Sequence, residues 1–142
     1  MKFEYPWYEE SRMSIAVLKD KGKEWHGTAF CHTDDADFCS QHTGMIIAEM
    51  RAMIEFYKDR RRTLRNEYNA LDRLYRQMTR GADCSVKSRE MKILQAELRR
   101  IKNELATASC GISQIKSDLK DFIDTKEQLY TQIRAKREVE AH

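Results

Sequence analysis

The sequence predicts a mostly α-helical, α+β protein in which an N-terminal β-hairpin or small antiparallel sheet precedes a long antiparallel helical hairpin of the coiled-coil type. Three observations support this prediction. Apolar and polar residues alternate near residues 13–18, whereas two later segments repeat apolar residues at steps of three and four. The charged fraction, 35%, exceeds the roughly one quarter typical of globular proteins, and such enrichment suits long, solvated helices.

The N-terminal head comprises residues 1–35. Met13, Ile15 and Val17 alternate with smaller or polar neighbours, which is the period of a half-buried strand. Residues 20–23 predict a turn, and residues 25–31 are again rich in strand formers, so the two strands should pair as a hairpin. The aromatic segment that precedes them predicts a third strand or an aromatic clamp. Because two strands alone are marginally stable, we expect their apolar face to pack on another element.

The helical hairpin comprises residues 36–142, with its turn near 81–85, and forms one structural domain with the head. Thr33 or Asp34 can cap the first helix, and the short connection makes the two helices antiparallel neighbours. Arg61 and Lys126 are the charged interruptions of the two apolar seams. The first seam contains Met50, Met53 or Ile54, Tyr57, Leu64, Tyr68, Leu71, Tyr75 and Met78. The second contains Met91, Leu94, Leu98, Ile101, Leu105, Ala108, Ile112, Ile115, Leu119, Phe122, Leu129 and Ile133.

Gly111 lies inside the second helix, and counting back from the turn places it near Met53. A glycine in a helix interior costs about 1 kcal/mol relative to alanine. The sequence therefore predicts either a close helix crossing at Gly111 or simple tolerance of the glycine.

The apolar stripe is wider than a two-helix seam needs. Adjacent pairs such as Met53-Ile54 and Phe122-Ile123 broaden it, and a two-helix hairpin covers only one face of each helix. The simplest cover is a homodimer that pairs two hairpins into a four-helix bundle, and a protein partner is the alternative.

No apolar run approaches the ~20 residues of a membrane span, and no signal peptide is apparent, so we expect a cytoplasmic protein without a membrane partner. Glycine-rich phosphate motifs and paired catalytic carboxylates are absent from the sequence. A cysteine–histidine nucleophile would need an orienting group and a cleft. We therefore expect a protein that is not an enzyme and has no catalytic residues.

Zinc is the one candidate cofactor. Cys31, His32, Cys39 and His42 supply thiol and imidazole ligands, and Cys39 and His42 would share a helix face. Their spacing matches no standard zinc finger or ribbon. In the alternative interpretation Cys31 packs in the core and the histidines are ordinary surface groups.

A basic stripe on the first helix is the candidate site of contact with a partner or with nucleic acid. Its residues recur at steps of three and four, so each set shares a helix face. They are Lys58, Arg62, Arg65, Arg73, Arg76 and Arg80. The alternative is a solvated face balanced by Glu55, Asp59, Glu67 and Asp72.

The segment Gly27-Thr28-Ala29-Phe30-Cys31-His32-Thr33-Asp34-Asp35, with Gly44 and the later run Ala48-Glu49-Met50-Arg51-Ala52, resembles small proteins encoded by phages and prophages of bacteria. Their pattern reads roughly Gly-x-Ala-x-Cys-His-Pro-x-Asp, then a glycine, then Ala-x-x-Arg-Ala. The match covers about a quarter of the chain. Thr33 stands where proline is usual, and Cys39 is not part of the pattern.

The resemblance implies a phage accessory protein, and phage proteins of this size often bind and block a host machine. We therefore expect a non-enzymatic protein that binds and blocks or modulates a host or phage protein. A bacterial anti-phage defence component such as a CRISPR nuclease is one such target, which would make the chain an anti-CRISPR inhibitor. The alternatives are a nucleic-acid-binding protein that uses the basic stripe and a structural coiled-coil component of a phage assembly.

Overall fold

A computed structural model describes residues 1–6, 13–30, 41–80 and 84–141. Its elements are the strands β1 (Lys2–Glu4), β2 (Met13–Asp20) and β3 (Lys23–Phe30), followed by the helices α1 (Gln41–Arg80) and α2 (Cys84–Glu140). A three-stranded sheet followed by two long helices confirms the predicted mostly α, α+β class. The predicted caps Thr33 and Asp34 lie outside the described residues. Within the described residues, no helix is both long and apolar enough to cross a membrane.

The chain folds as two compact units. We call Met1–Phe56 together with Ser113–His142 the sheet unit, and Tyr57–Ile112 the hairpin unit. Each helix contributes to both units, because α1 enters the hairpin unit at Tyr57 and α2 leaves it after Ile112.

The sheet of the sheet unit is antiparallel, in the order β1-β2-β3. Strands β2 and β3 form a hairpin whose turn residues, Lys21 and Gly22, have φ values of 49° and 80°. Two consecutive positive φ values are typical of a type I′ turn, whose twist matches that of the strands. The aromatic segment supplies the third strand through β1, which pairs with residues 17–19 of β2.

Small residues bring the sheet directly onto α1. The buried core of this contact consists of Ala16, Ala29 and Ala48, with Phe3 and Ile47 packed against it. These short side chains bury little apolar area each, so the stability of the contact depends on a close approach of the two backbones.

Gly27 marks the closest approach of β3 to α1. A Cβ atom at Gly27 would lie 1.9 Å from the carbonyl oxygen of Ala48 and 2.5 Å from the backbone nitrogen of Ala52. Only a residue without a side chain fits there. One turn along α1, Arg51 Nη1 donates a hydrogen bond of 2.6 Å to the carbonyl oxygen of Thr28, which links the same two elements.

Aromatic residues flank this contact. The rings of Trp25 on β3 and Phe56 on α1 meet edge to face, with centroids 4.9 Å apart. Beyond the end of β1, the ring of Tyr5 stacks on that of Phe3, and the Tyr5 hydroxyl donates a hydrogen bond to the Glu49 carboxylate. The sheet is therefore joined to α1 by side chains from both its first and its third strand.

The bond to Glu49 raises the pKa of Tyr5 to about 12, because ionisation would break the bond and place two negative charges together. In the unfolded chain this tyrosine ionises near its ordinary pKa of about 10. The bond therefore adds stability below pH of about 10, and that stability is lost as the pH rises through about 12. We expect the difference in unfolding free energy between the wild type and Tyr5→Phe to shrink over this range, as measured by urea unfolding. A difference that does not change with pH would contradict the assignment.

The hairpin unit consists of antiparallel segments of α1 and α2. Gln95 Nε2 donates a 2.7 Å hydrogen bond to the Tyr75 hydroxyl, and Arg60 lies 3.9 Å from the Glu104 carboxylate. The earlier α1 residue, Arg60, thus pairs with the later α2 residue, Glu104. This order is that of the predicted antiparallel arrangement. The buried seam residues of this unit are Leu64, Ile101, Ala108 and Ile112.

Two details differ from the sequence prediction. A Cβ atom at Gly111 would meet the ring of Tyr57 at 3.8 Å, which is an ordinary van der Waals contact. The helices therefore do not cross closely at Gly111, and simple tolerance is the better explanation. Leu129, predicted in the seam, is 44% exposed. It follows the interruption at Lys126, whose Nζ lies 5.6 Å from the centroid of the Phe122 ring.

Candidate functional site

The zinc candidates fall mostly outside the described residues. Cys31, His32 and Cys39 are not described, and His42 lies exposed in the first turn of α1. Elsewhere in the described part of the chain, no group of three or more histidines, cysteines or acids could hold a metal ion. The zinc site stays a prediction.

The six cations of the α1 stripe share one helix face. At 3.6 residues per turn, Lys58, Arg62, Arg65, Arg73, Arg76 and Arg80 fall within an arc of about 80° and extend over about 33 Å of helix. Asn69 occupies the position between Arg65 and Arg73. All five arginines are exposed, and Lys58 is half-buried. The stripe is therefore a continuous line of positive charge.

Among the described residues, one of the five arginines of this line pairs with an acid. Arg76 forms an ion pair of 3.1 Å with Asp72. Ion pairs at the protein surface contribute little to stability. Among the described residues, Arg62, Arg65, Arg73 and Arg80 make no ion pair. The balanced, solvated face considered as the alternative thus accounts for one of the five arginines.

Charge is segregated between the two units. The hairpin unit carries fourteen lysines and arginines against seven acids, a formal charge of +7, within 57–112. The rest of the chain carries twelve against sixteen, a formal charge of −4. A chain of modest net charge, +3, therefore contains one strongly basic unit.

The charges of α2 divide between the two sides of its seam. With about 100° per residue, Glu97 and Glu104 fall on one side, and Lys92, Arg99 and Lys102 fall on the other. On the acidic side, Arg100 forms ion pairs with both Glu97 and Glu104 within α2. The same pairing lowers the pKa of Glu97 and raises that of Arg100. Lys92, Arg99 and Lys102 are exposed.

The ion pair between Arg60 and Glu104 shows which sides of the two helices meet. Arg60 lies on the opposite side of the α1 seam from Arg65 and Arg76, and Glu104 lies on the opposite side of the α2 seam from Lys102. Arg65 and Arg76 on α1 and Lys102 on α2 therefore occupy the same lateral face of the hairpin. The other cations of the two rows continue from this face toward the outer sides of the helices, with Arg73 and Lys92 furthest from the seams. We call the α1 stripe together with Lys92, Arg99 and Lys102 the basic face. Among the described residues, Asp72 falls beside the α1 stripe, and Glu55, three residues before Lys58, has the same angular position as Arg73.

Sequence analysis missed the α2 row. Lys92, Arg99 and Lys102 are separated by seven and then three residues, a spacing that keeps them on one helix face. These cations are interspersed with the acids of α2 in the sequence, and only the antiparallel pairing places them on the same side of the hairpin as the α1 stripe.

Comparisons with protein-family models, curated protein sequences and solved structures found no significant match to this chain. Within the described part of the chain, four residues of the segments that resemble the phage-encoded proteins have a structural explanation. Gly27, Ala48 and Ala52 form the close approach of β3 to α1, and Arg51 binds the carbonyl oxygen of Thr28. These residues position the sheet on the helix, and the basic face is the candidate binding site.

Proposed function

We propose that this chain is a non-enzymatic, phage-type accessory protein that acts by holding an anionic macromolecule against the basic face. The observation that carries the proposal is that Arg62, Arg65, Arg73 and Arg80 share one face of α1 and make no ion pair among the described residues. The planar guanidinium group presents a fork of donors that matches carboxylate and phosphate groups.

The described acids whose pKa values are shifted are held by neighbouring side chains. Shifted pKa values belong to surface pairs: Glu4 is lowered by Lys19, and Glu97 is lowered by Arg100. Tyr5, the remaining shifted acid, is held by Glu49 at the sheet–helix contact. Catalytic groups are usually shifted by desolvation inside a cleft. We therefore propose no reaction for this protein.

In a phage context, the bound macromolecule would belong to a host or phage component that the protein blocks or modulates in the host cytoplasm. A defence nuclease that carries nucleic acid or an acidic surface is one such component. The hairpin unit also exposes Leu74 and Ile93 (45% and 63%), which the proposed homodimer would cover.

The test compares two variants that lose equal charge from the hairpin unit. The first variant replaces Arg62, Arg65 and Arg73 with glutamine. The second variant replaces Arg60, Arg89 and Arg100 with glutamine. Glutamine is a good helix former, so both should retain the fold. In affinity capture from a bacterial host lysate, we expect the first variant to retain about tenfold less partner than the wild type. The second should retain the wild-type amount.

Each capture is divided into nuclease-treated and untreated halves, and the bound material is identified by mass spectrometry and nucleic-acid staining. If the two variants lost equal amounts of captured partner, binding would depend on the net charge of the protein and not on the α1 stripe. A wild-type protein that captures nothing anionic would also contradict the proposed function.

A further inference from the structure

We infer that the ligand of the basic face is the phosphate backbone of a nucleic-acid duplex, contacted by α1 and by the α2 row of Lys92, Arg99 and Lys102. This inference rests on the proposed function, since it names the partner of the same face. It adds a second helix to the site and predicts binding that does not depend on base sequence.

The shape of the charge favours a linear polyanion. The α1 row extends over about 33 Å and the α2 row over about 15 Å, at 1.5 Å per residue. The axes of packed helices lie 8–10 Å apart, so Lys102 comes beside Arg65 and the two rows border one elongated positive surface. A duplex carries one charge per about 1.7 Å of its axis and therefore presents phosphates along the whole strip. Acidic groups on a globular protein rarely form so regular a line.

The basic face also lacks the apolar anchors of a protein interface. The exposed large hydrophobic residues of the hairpin unit, within its described part, are Leu74 and Ile93. Counted from the two seams, both fall on the lateral face that carries the Arg60–Glu104 pair. Protein interfaces derive most of their affinity from buried aromatic and apolar residues, whereas contacts to phosphates need only positive charge. A partner on the basic face would thus be held by charge.

Few aromatic side chains on this face can stack on bases. Asn69 is the one amide within the arc of the α1 stripe, and the exposed amides Asn66 and Gln77 fall about 20–40° outside it. The Gln95 amide already donates to the Tyr75 hydroxyl. Tyr68 and Tyr75 are half-buried seam residues. Sequence is read through base edges, and single strands are held by stacking on aromatic side chains. The face therefore suits a duplex bound without regard to sequence.

The experiment measures the binding of the purified full chain to fluorescent duplexes of mixed sequence, one of DNA and one of RNA, over a range of salt concentrations. If about six phosphates are contacted, log K falls with log salt at a slope of about −5, and affinity drops about a thousandfold between about 50 and 200 mM salt. Comparison of the two duplexes identifies which nucleic acid is preferred.

The α2 row is tested by replacing Lys92, Arg99 and Lys102 with glutamine. Loss of three phosphate contacts should make the slope shallower by about 2.7. The Arg60, Arg89 and Arg100 variant has the same net charge and should keep the wild-type slope within about one unit. Circular dichroism before each titration verifies that the helices are intact, and Gln replacement of one α2 residue at a time is the fallback for a variant that fails to fold.

An unchanged slope in the α2 variant would overturn the inference, as would the absence of duplex binding at about 50 mM salt. Polyglutamate that competes as well as duplex at equal charge would overturn the phosphate assignment in favour of an acidic protein. The proposed function survives these outcomes if the glutamine variant of Arg62, Arg65 and Arg73 still loses its lysate partner. The function fails together with the inference if that variant captures as much partner as the Arg60, Arg89 and Arg100 variant.

Discussion

Gly27→Ala is expected to lower the unfolding free energy by about 3 kcal/mol, at the upper end of typical overpacking costs. The added methyl group would lie 1.9 Å from the carbonyl oxygen of Ala48 and 2.5 Å from the backbone nitrogen of Ala52. Both are main-chain atoms of α1, so no side-chain rotation relieves the contact. Strand β3 would have to move away from α1, which would open the core around Ala16 and Ala29.

Gly111→Ala is the matched control for this substitution. Its new methyl group meets only the ring of Tyr57 at 3.8 Å, and the position is helical, so stability should increase by up to about 1 kcal/mol. Urea unfolding followed by far-ultraviolet circular dichroism measures both variants. A Gly27→Ala protein within about 0.5 kcal/mol of the wild type would show that β3 and α1 do not touch as described.

The opposite expectations for these two glycines show where sequence analysis stops. Helix periodicity alone places Gly111 inside a helix. The surroundings of Gly111, however, depend on how the two helices are aligned. That alignment places it against Tyr57, one helical turn after Met53. The sequence places Gly27 only in a predicted strand and in the segment that resembles phage-encoded proteins. The contact that explains it joins residues far apart in the chain, and no local pattern reports such a contact.

The elements themselves were predictable because each depends on a local signal. The alternation around Ile15 predicted β2, the turn at Lys21-Gly22 predicted its hairpin with β3, and the seam through Leu64 and Ile101 predicted the paired helices. For the segment that contains β1, the sequence predicted either a third strand or an aromatic clamp. Its three strand residues are too few to show a period.

The candidate site was half predictable for the same reason. The α1 stripe is a property of one helix and follows from its period. The basic face needs the antiparallel pairing that places Lys102 on the same side as Arg65, and this is tertiary information. The α2 row became visible once the Arg60–Glu104 pair had fixed which sides of the helices meet.

Ile101→Ala is expected to destabilise the protein by about 3 kcal/mol, whereas Ile93→Ala should change its stability by less than about 0.5 kcal/mol. Ile101 is 1% exposed in the seam of the hairpin unit, so its truncation loses apolar burial and leaves a cavity. Ile93 lies on the same helix, eight residues earlier, and is 63% exposed. The two substitutions therefore have the same chemistry and differ in their surroundings.

Thermal and urea unfolding of the two variants would test more than stability. The positions of Lys92, Arg99 and Lys102 are counted around α2 from the seam that contains Ile101. If Ile101→Ala is harmless and Ile93→Ala is costly, the seam passes through Ile93, and the α2 cations rotate by about 80° relative to it. Lys92 and Arg99 would then lie on the other side of the seam and Lys102 opposite it, and the basic face would shrink to the α1 stripe. Observation of the expected order would therefore support the two-helix face independently of any ligand.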